Sequence, residues 1–409
     1  MKAIEITNIE EKESLISNAI HLSELIRDKT FAEEIGTKVY DKLLYTNEPF
    51  TEENRKINIL NSNAPRLSYK FYDKDLGEHG LIRVHHGQRK LLMNEIEFLL
   101  IGLPKIKTKE KTVLYIGAAH GQHHIILQRM FPDVRFILYD GNKFHSDIKK
   151  LPKYHFYEEL FTHEDVEKYK KMGKSMLFIS DIRRDLEKEE GSEEKDDKII
   201  WEDMTWQKDW VKAIRPVMCM LKFRLTYNKL KRKYLSGDLY LQPWVGKISA
   251  ELRLITNNYD DEIEYDEEMY EEIVHYHNIV IRRMYYEHNY DCLCHCYDCR
   301  SEVYILDKYF KEFHGITDEE KRIDYVCKLS RFITGLVGEK ADIGLGKSTL
   351  NPYYTLKEQY YKFMDEFINP EQTEIKVETR KNRGKKKKFG GSTKMPGSMY
   401  SILYPDEEA

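Results

Sequence analysis

The 409-residue sequence lacks several features that would decide its class at once. No stretch approaches the roughly 20 consecutive apolar residues that a membrane-spanning helix needs. The first residues show no signal-peptide pattern. Six cysteines, four of them clustered, argue against a disulfide framework in a chain of this length. These absences predict a soluble, reduced, intracellular protein with no membrane partner.

The overall charge does not indicate a nucleic-acid-binding protein, because the net charge is −4. The average hides two local extremes. Residues 260–272 carry nine acidic side chains, whereas residues 380–388 carry seven basic ones and no acid. Any surface that binds nucleic acid must therefore be local.

Three regions differ in composition. Residues 1–60 predict an N-terminal helical extension, because apolar side chains such as Leu15, Ala19, Leu22 and Ile26 share one helical face. Residues 61–370 form the predicted main domain. Residues 371–409 are polar, basic and glycine-containing, which predicts a tail that is disordered when alone.

The main domain alternates between two kinds of pattern. Short β-rich runs occupy residues 112–116, 134–139, 175–180 and 217–221, and helix-length spacers separate them. An amphipathic helix is predicted over residues 88–101. Apolar strands that alternate with helices predict an α/β fold with a mostly parallel sheet of the Rossmann type.

A glycine loop follows the first of these runs. Its glycines, Gly117 and Gly121, let the backbone approach a ligand closely, and the following helix offers free N–H groups. Asp140 ends the next run, 19 residues after Gly121, where a carboxylate can accept both ribose hydroxyls of an adenosine group. The glycine spacing is not that of a dinucleotide site, so NAD fits less well. A tight turn without a ligand is the simpler alternative.

Four charged side chains fall at or near the ends of predicted elements: Lys90, Asp181, Lys222 and Glu251. Lys90 opens a predicted helix, and Asp181 and Lys222 end predicted strands. Sites in open α/β sheets form at the carboxyl ends of strands, so these positions suit catalysis. A lone lysine in such a place is more often a salt-bridged surface residue.

Taken together, the four residues resemble the tetrad of FtsJ-like ribose 2′-O-methyltransferases. The flanking motifs Gly-Gln-x-Lys, Tyr-Ile-Gly-x-Ala-x-Gly, Ile-Ser-Asp-x-Arg, Leu-Lys-x-Arg and Ser-Ala-Glu-x-Arg-Leu narrow the resemblance. They are similar to those of the poxvirus cap-specific 2′-O-methyltransferases, which are also small subunits of poly(A) polymerase. The resemblance covers residues 69–310 and implies a protein of a large DNA virus, in the virion and host cytoplasm.

The resemblance implies a role for each member of the tetrad. A ribose hydroxyl must lose its proton as the methyl group arrives, and a desolvated lysine beside another cation can accept it near neutral pH. Lys222 is the expected base and Lys90 the neighbouring cation, while Asp181 and Glu251 orient the lysines.

The implied cofactor is S-adenosylmethionine. Its expected contacts are Gln88, Tyr115, Gly117, Gly121, His123, Asp140 and Asp181. Two positions depart from the family pattern: His120 replaces a proline and Asn142 replaces an arginine.

The resemblance also implies a slot for methylated guanine, a cationic base that stacks between aromatic rings and pairs with acids. Tyr227 is the expected stacking ring, Glu271 the acid, and Tyr72 or Phe71 the second ring. Lys229 stands where a further acid is expected, so the preference for cap methylation should be smaller. The expected RNA contacts are Arg183, Arg224, Ser249 and Arg253.

Residues 292–299 place four thiols close together: Cys292, Cys294, Cys296 and Cys299. Zinc accepts such donors, but its tetrahedral sites usually draw ligands from two separated segments. We therefore favour buried free cysteines on a strand and predict no metal site.

Two alternatives remain open. A non-catalytic RNA-binding or processivity subunit could keep this fold, although the intact tetrad argues against loss of catalysis. Methylation of ribosomal or transfer RNA would fit the tetrad but not Tyr227 and Glu271. The expected partners are capped mRNA and, in a dual role, the catalytic subunit of a viral poly(A) polymerase.

Overall fold

The computed structural model describes residues 3–5, 44–46, 58–66, 87–184, 193–226, 228–246, 249–279, 281–283, 285–286, 288–290, 293 and 296–337. The strands in these ranges are β1 (Ala3–Glu5), β2 (Leu44–Thr46), β3 (Lys111–Ile116), β4 (Val134–Tyr139), β5 (Tyr154–Tyr157), β6 (Met176–Ser180), β7 (Met218–Arg224), β8 (Lys231–Leu235), β9 (Asp238–Tyr240), β10 (Glu251–Thr256), β11 (Glu262–Asp266) and β12 (Tyr285–Tyr286). The α-helices are α1 (Gly87–Gly102), α2 (His124–Met130), α3 (His163–Tyr169), α4 (Glu193–Ile214), α5 (Glu267–Ile279), α6 (Tyr297–Lys308) and α7 (Glu319–Val337).

A seven-stranded sheet forms the centre of the fold, in the order β5-β4-β3-β6-β7-β10-β9. The first five strands of this order run parallel, and β10 runs antiparallel to both of its neighbours. The four strands predicted from the sequence are β3, β4, β6 and β7, and the predicted helix is α1. The α/β fold with a mostly parallel sheet is therefore confirmed.

The strands of this sheet read as apolar runs because both faces are covered. Every residue of β6 is buried, as are all residues of β3 except the first. Parallel strands packed between helices show this continuous pattern, where a half-exposed sheet would show alternation. None of the helices that the structure describes is both long enough and apolar enough to cross a membrane.

The order of the sheet determines where a ligand can bind. β3 pairs with β4 on one side and with β6 on the other, so the chain reverses its direction of winding at β3. In open α/β sheets, ligands bind outside the carboxyl ends of the strands at such a switch point. The loops after β3, β4 and β6 all open at this edge.

The antiparallel strand β10 brings its first residue to the same edge. Glu251 begins β10 and lies opposite Arg224, which ends β7, and Arg253 lies opposite Lys222. A residue at the amino end of one strand can therefore act together with residues at the carboxyl ends of the others.

The N-terminal region contains strands in its described part. β1 pairs antiparallel with β2, and β2 pairs in parallel with β12. Residues 58–60 follow the edge of the central sheet, where Ile59 pairs with Tyr240. The end of the predicted N-terminal extension is therefore attached to the main sheet. The predicted helical face of residues 15–26, and residues 371–409, lie outside the described residues.

Candidate active site

The four charged residues predicted to act together meet at the switch-point edge of the sheet. Lys90 Nζ lies 2.9 Å from Glu251 Oε1. Lys222 Nζ lies 3.1 Å from Asp181 Oδ1 and 3.3 Å from Glu251 Oε2. Glu251 therefore joins the two lysines, one at each of its oxygens. The side chains keep 9 to 14% of their surface exposed, so a substrate can reach them.

Arg253, predicted to contact RNA, is a fifth member of this cluster and lies inside the protein. Its side chain is only 1% exposed. Nη1 donates to Asp181 Oδ1 at 2.7 Å, Nη2 to Glu251 Oε1 at 3.2 Å, and Nε to Gln242 Oε1 at 2.8 Å. With all three sides of the guanidinium engaged inside the protein, Arg253 positions the two carboxylates.

Gln242 and Asn94 connect this cluster to the rest of the fold, and the sequence analysis missed both. Gln242 Nε2 donates to the carbonyl oxygen of Glu251 at 2.9 Å and to its Oε1 at 3.1 Å. Asn94 Nδ2 donates to Gln242 Oε1 at 2.8 Å. Because Asn94 lies one turn after Lys90 on α1, this chain of bonds fixes that helix against β10.

The charges of the cluster hold its carboxylates ionised. Burial alone raises the pKa of Asp181, but Arg253 and Lys222 outweigh it and lower the pKa below its ordinary value. Burial likewise acts to raise the pKa of Glu251, and Lys222, Lys90 and Arg253 together bring it well below its ordinary value. Two carboxylates thus face three cations, which leaves one positive charge in excess.

The glycine loop packs directly against this cluster. Gly117 and Gly121 have φ of +80° and +72°, a region that favours glycine. A Cβ on Gly117 would lie 2.7 Å from the carbonyl carbon of Asp181, and one on Gly121 would lie 2.9 Å from the carbonyl oxygen of Ala118. Both glycines are therefore required by the close packing of the loop itself, which brings it beside Asp181.

Asp140 directly follows β4, beside the glycine loop. Its Oδ2 accepts the backbone N–H of Ala119 at 2.9 Å, and its Oδ1 accepts the N–H of Asn142 at 2.8 Å and the Asn142 side chain at 3.1 Å. The carboxylate is thereby fixed at the edge of the sheet. Each oxygen keeps further acceptor capacity, which ribose hydroxyls could use.

Three further predicted cofactor residues lie behind the loop. Gln88 Oε1 accepts the backbone N–H of His123 at 3.3 Å and lies 2.7 Å from its ring Nδ1. Tyr115 and His123 are both almost completely buried. Burial, followed by the charges of Glu95 and Asp181, raises the pKa of Tyr115 well above its ordinary value, so the phenol stays neutral.

The predicted RNA and cap residues fall at scattered places. Arg183 is exposed and Arg224 is half-buried, and both line a cleft that also contains Lys222. Ser249 Oγ accepts the backbone N–H of Glu251 at 3.2 Å. Glu271 Oε2 lies 3.2 Å from Lys229 Nζ. Tyr72, Phe71 and Tyr227 lie outside the described residues.

The cysteine cluster of residues 292–299 was predicted to form a strand. This prediction is wrong for residues 296–299, which form the start of a helix. Cys296 caps the start of α6, where its sulfur accepts the backbone N–H of Cys299, and both residues are buried. The apolar residues of α6, such as Val303, Ile305 and Leu306, pack into the core and account for the helix. Cys292 and Cys294 lie outside the described residues.

Comparison with known proteins finds viral relatives that share one name. A cap-specific mRNA (nucleoside-2′-O-)-methyltransferase of fowlpox virus (strain NVSL) is 29% identical over 197 residues, which is 45% of this chain and 62% of the relative. The protein of the same name from myxoma virus (strain Lausanne) is 26% identical over 264 residues, 61% of this chain and 77% of the relative. The chain thus spans less than two thirds of the fowlpox protein.

Solved structures and a protein family also match. Bluetongue virus VP4, described as an RNA-capping production line, aligns with a TM-score of 0.33 and 17% identity, over 43% of this chain and 30% of its own. An alignment this limited does not bear on the fold. The family described as poly A polymerase regulatory subunit matches residues 37–334, which is most of the chain. The protein belongs to the poly A polymerase regulatory subunit family.

Proposed function

We propose that this protein transfers a methyl group from S-adenosylmethionine to the ribose 2′-hydroxyl of the first transcribed nucleotide of capped mRNA. One observation carries the proposal: Lys222 Nζ is held between Asp181 and Glu251 at the switch-point edge, with Lys90 on the far oxygen of Glu251. The names of the fowlpox and myxoma relatives support the same reaction.

The residues at the glycine loop fit the proposed cofactor. The loop from Gly117 to Gly121 approaches the edge without side chains at its two glycines, and the Asp140 carboxylate suits the ribose of an adenosine group. When bound, the cofactor would supply an electrophilic methyl group. Gly117 contacts Asp181, so a ligand in the loop would lie next to the tetrad.

Lys222 is the group that we propose as the general base. Its ammonium is one of three cations that face two carboxylates, so release of one proton makes the cluster neutral. Arg253 cannot release a proton in this pH range, whereas a lysine can. The neutral amine would accept the proton of the 2′-hydroxyl, a step usually worth about 10²–10⁴-fold in rate.

Substrate residues are assigned by position. Arg183 and Arg224, which share a cleft with Lys222, would hold the phosphates that follow the acceptor nucleotide. Glu271 would accept hydrogen bonds from the edge of the cap guanine, and Tyr72 and Tyr227 would stack on it.

Methyl transfer to short capped and uncapped RNAs of the same sequence tests the proposal. We expect incorporation only into the capped RNA, at a position that resists alkaline and ribonuclease cleavage because its 2′-oxygen is blocked. Equal transfer to both RNAs would contradict cap recognition, and transfer to a base would contradict the ribose assignment.

A second function is favoured by the family itself, whose description is that of a regulatory subunit. We propose that the chain also binds the catalytic subunit of a viral poly(A) polymerase and lengthens its products. Lys222→Ala should then abolish methyl transfer but keep the effect on tail length. Loss of both effects in a correctly folded variant would contradict two separable roles.

A further inference from the structure

Three donor side chains meet behind the glycine loop, away from the tetrad. Glu95 lies on α1, and His123 and His124 lie where α2 begins. All three are completely buried. One donor atom from each lies within 4.8 Å of the other two. Glu95 and His124 have no part in the methyl transfer proposed above.

The hydrogen bonds of Gln88 determine the proton on the ring of His123. Gln88 Oε1 accepts the backbone N–H of His123, so the oxygen of the amide faces this residue. Ring Nδ1, 2.7 Å from the same oxygen, must therefore donate. In neutral His123 the lone pair is then on Nε2, which lies 2.9 Å from Glu95 Oε1. Two acceptors this close require a shared proton or a cation.

Two further polar atoms of the cluster lack a hydrogen-bond partner among the described residues. Glu95 Oε2 and His124 Nε2 are buried and meet no hydrogen-bond partner of acceptable geometry within the described ranges. Buried polar atoms without partners are costly, and a cation would satisfy both when the proton of His124 is on Nδ1, which faces the Tyr154 hydroxyl.

We propose that Glu95, His123 and His124 bind one divalent transition-metal ion of the zinc type. Two imidazole nitrogens and one carboxylate oxygen are a donor set that zinc accepts. A histidine that binds a metal commonly uses its other ring nitrogen for a hydrogen bond. His123 Nδ1 has Gln88 in this role, and His124 Nδ1 lies 3.3 Å from the hydroxyl of Tyr154.

Aromatic rings hold the His124 ring in place. The rings of Tyr115, Phe136 and Tyr154 pack against His124 with centroids 5.6 to 5.7 Å away. An ion there would join α1, which carries Lys90, to the start of α2, so we assign it a structural role that is independent of methyl transfer.

Metal binding by the full chain tests the proposal directly. The protein is stripped with a chelator and titrated with Zn²⁺, and the loaded sample is studied by X-ray absorption. We expect one tight equivalent with only nitrogen and oxygen ligands at about 2.0–2.2 Å. Altering the outer shell of a metal site costs about 10–100-fold in affinity, so loss of a ligand in His124→Phe should cost at least about 100-fold. His155→Phe, an exposed histidine next to Tyr154 on β5, is the matched control and should bind normally.

Three outcomes would overturn the proposal. They are no tight binding by the wild-type chain, unchanged affinity in His124→Phe, and sulfur ligands at about 2.3 Å, which would place the ion at cysteines instead. If His124→Phe does not fold, the X-ray absorption spectrum of the zinc-loaded wild-type protein still shows whether the ligands are nitrogen and oxygen or sulfur. Zn²⁺ should also raise the Tm of the stripped wild-type protein, because a ligand that binds only the folded state stabilises it.

Discussion

Arg253 lies directly opposite Lys222 in the register of β10 and β7, and both side chains reach Asp181 Oδ1, at 2.7 Å and 3.1 Å. One oxygen thus receives both a permanent cation and the proposed base. Arg253 keeps its positive charge at every pH of interest and balances the negative charge of Asp181. Lys222 can therefore lose its proton without leaving Asp181 unpaired. We therefore propose that Arg253 supports the base through its position and charge.

Lys222→Ala should reduce methyl transfer by about 10²–10⁴-fold, because the proposed general base is removed. Lys222→Arg should fail equally, since a guanidinium keeps its proton. Cofactor affinity, measured by calorimetry, should change little in either variant. Undiminished turnover in Lys222→Ala would exclude the proposed base.

Arg253→Met should destabilise the protein by about 3–5 kcal/mol, because breaking a buried ion pair leaves uncompensated charge. Urea denaturation measures this loss. Arg135→Met is the matched control: its pair with Glu110 is exposed, and such pairs contribute at most about 1 kcal/mol. Equal losses of stability in the two variants would mean that the buried network contributes little to the free energy of unfolding.

Acid should weaken the protein through Asp181 and Glu251. Their native pKa values are lowered, so their contribution is fully present above their ordinary values, about 3.9 and 4.3, and is lost as the pH falls below them. The stability difference between wild type and Glu251→Gln should therefore shrink between pH 6 and pH 3. Asp133→Asn, an exposed control, should show no such trend. A difference that grows on acidification would contradict the sign of the shift.

Asp140→Ala should weaken S-adenosylmethionine binding, because it removes charge-assisted hydrogen bonds to ribose worth about 1.5–3 kcal/mol each. It also removes the acceptor of the Ala119 N–H, so the loop itself should loosen. Asp140→Asn separates the two effects, since the amide oxygen can still accept one bond. Equal affinity of wild type and Asp140→Ala in calorimetry would place the adenosine elsewhere.

The central strands and the glycine loop were predictable from the sequence because their periodicity and turn residues are local properties. The order of the tetrad was predictable because its members follow recognisable motifs. The role of Arg253 was not, because it depends on the pairing of β10 with β7, although its spacing of two from Glu251 places both on one face of a strand. Gln242 and Glu95 act through contacts distant in sequence, which no local pattern reveals.

The cap pocket yields the last prediction, which concerns Lys229. Its Nζ lies 3.2 Å from Glu271 Oε2 and 3.9 Å from Glu268 Oε1. In the proposed cap pocket this ion pair would compete with guanine for Glu271, and its positive charge would oppose a methylated, cationic base. Lys229→Ala should therefore raise the ratio of kcat/KM for methylated over unmethylated caps by about fivefold, equivalent to about 1 kcal/mol of cation–π and charge interaction.

Two comparisons make this prediction specific to the pocket. Lys231→Ala removes an exposed lysine that pairs with Asp266, so it should leave the ratio unchanged.

Glu271→Ala should raise KM for capped RNA and leave any reaction with uncapped RNA unaffected, because only the cap would meet this carboxylate. Free methylated cap analogue should compete with capped RNA in the wild type. If an excess of analogue fails to inhibit, Glu271 does not bind the cap, and the enzyme must select its RNA through the basic cleft beside Lys222.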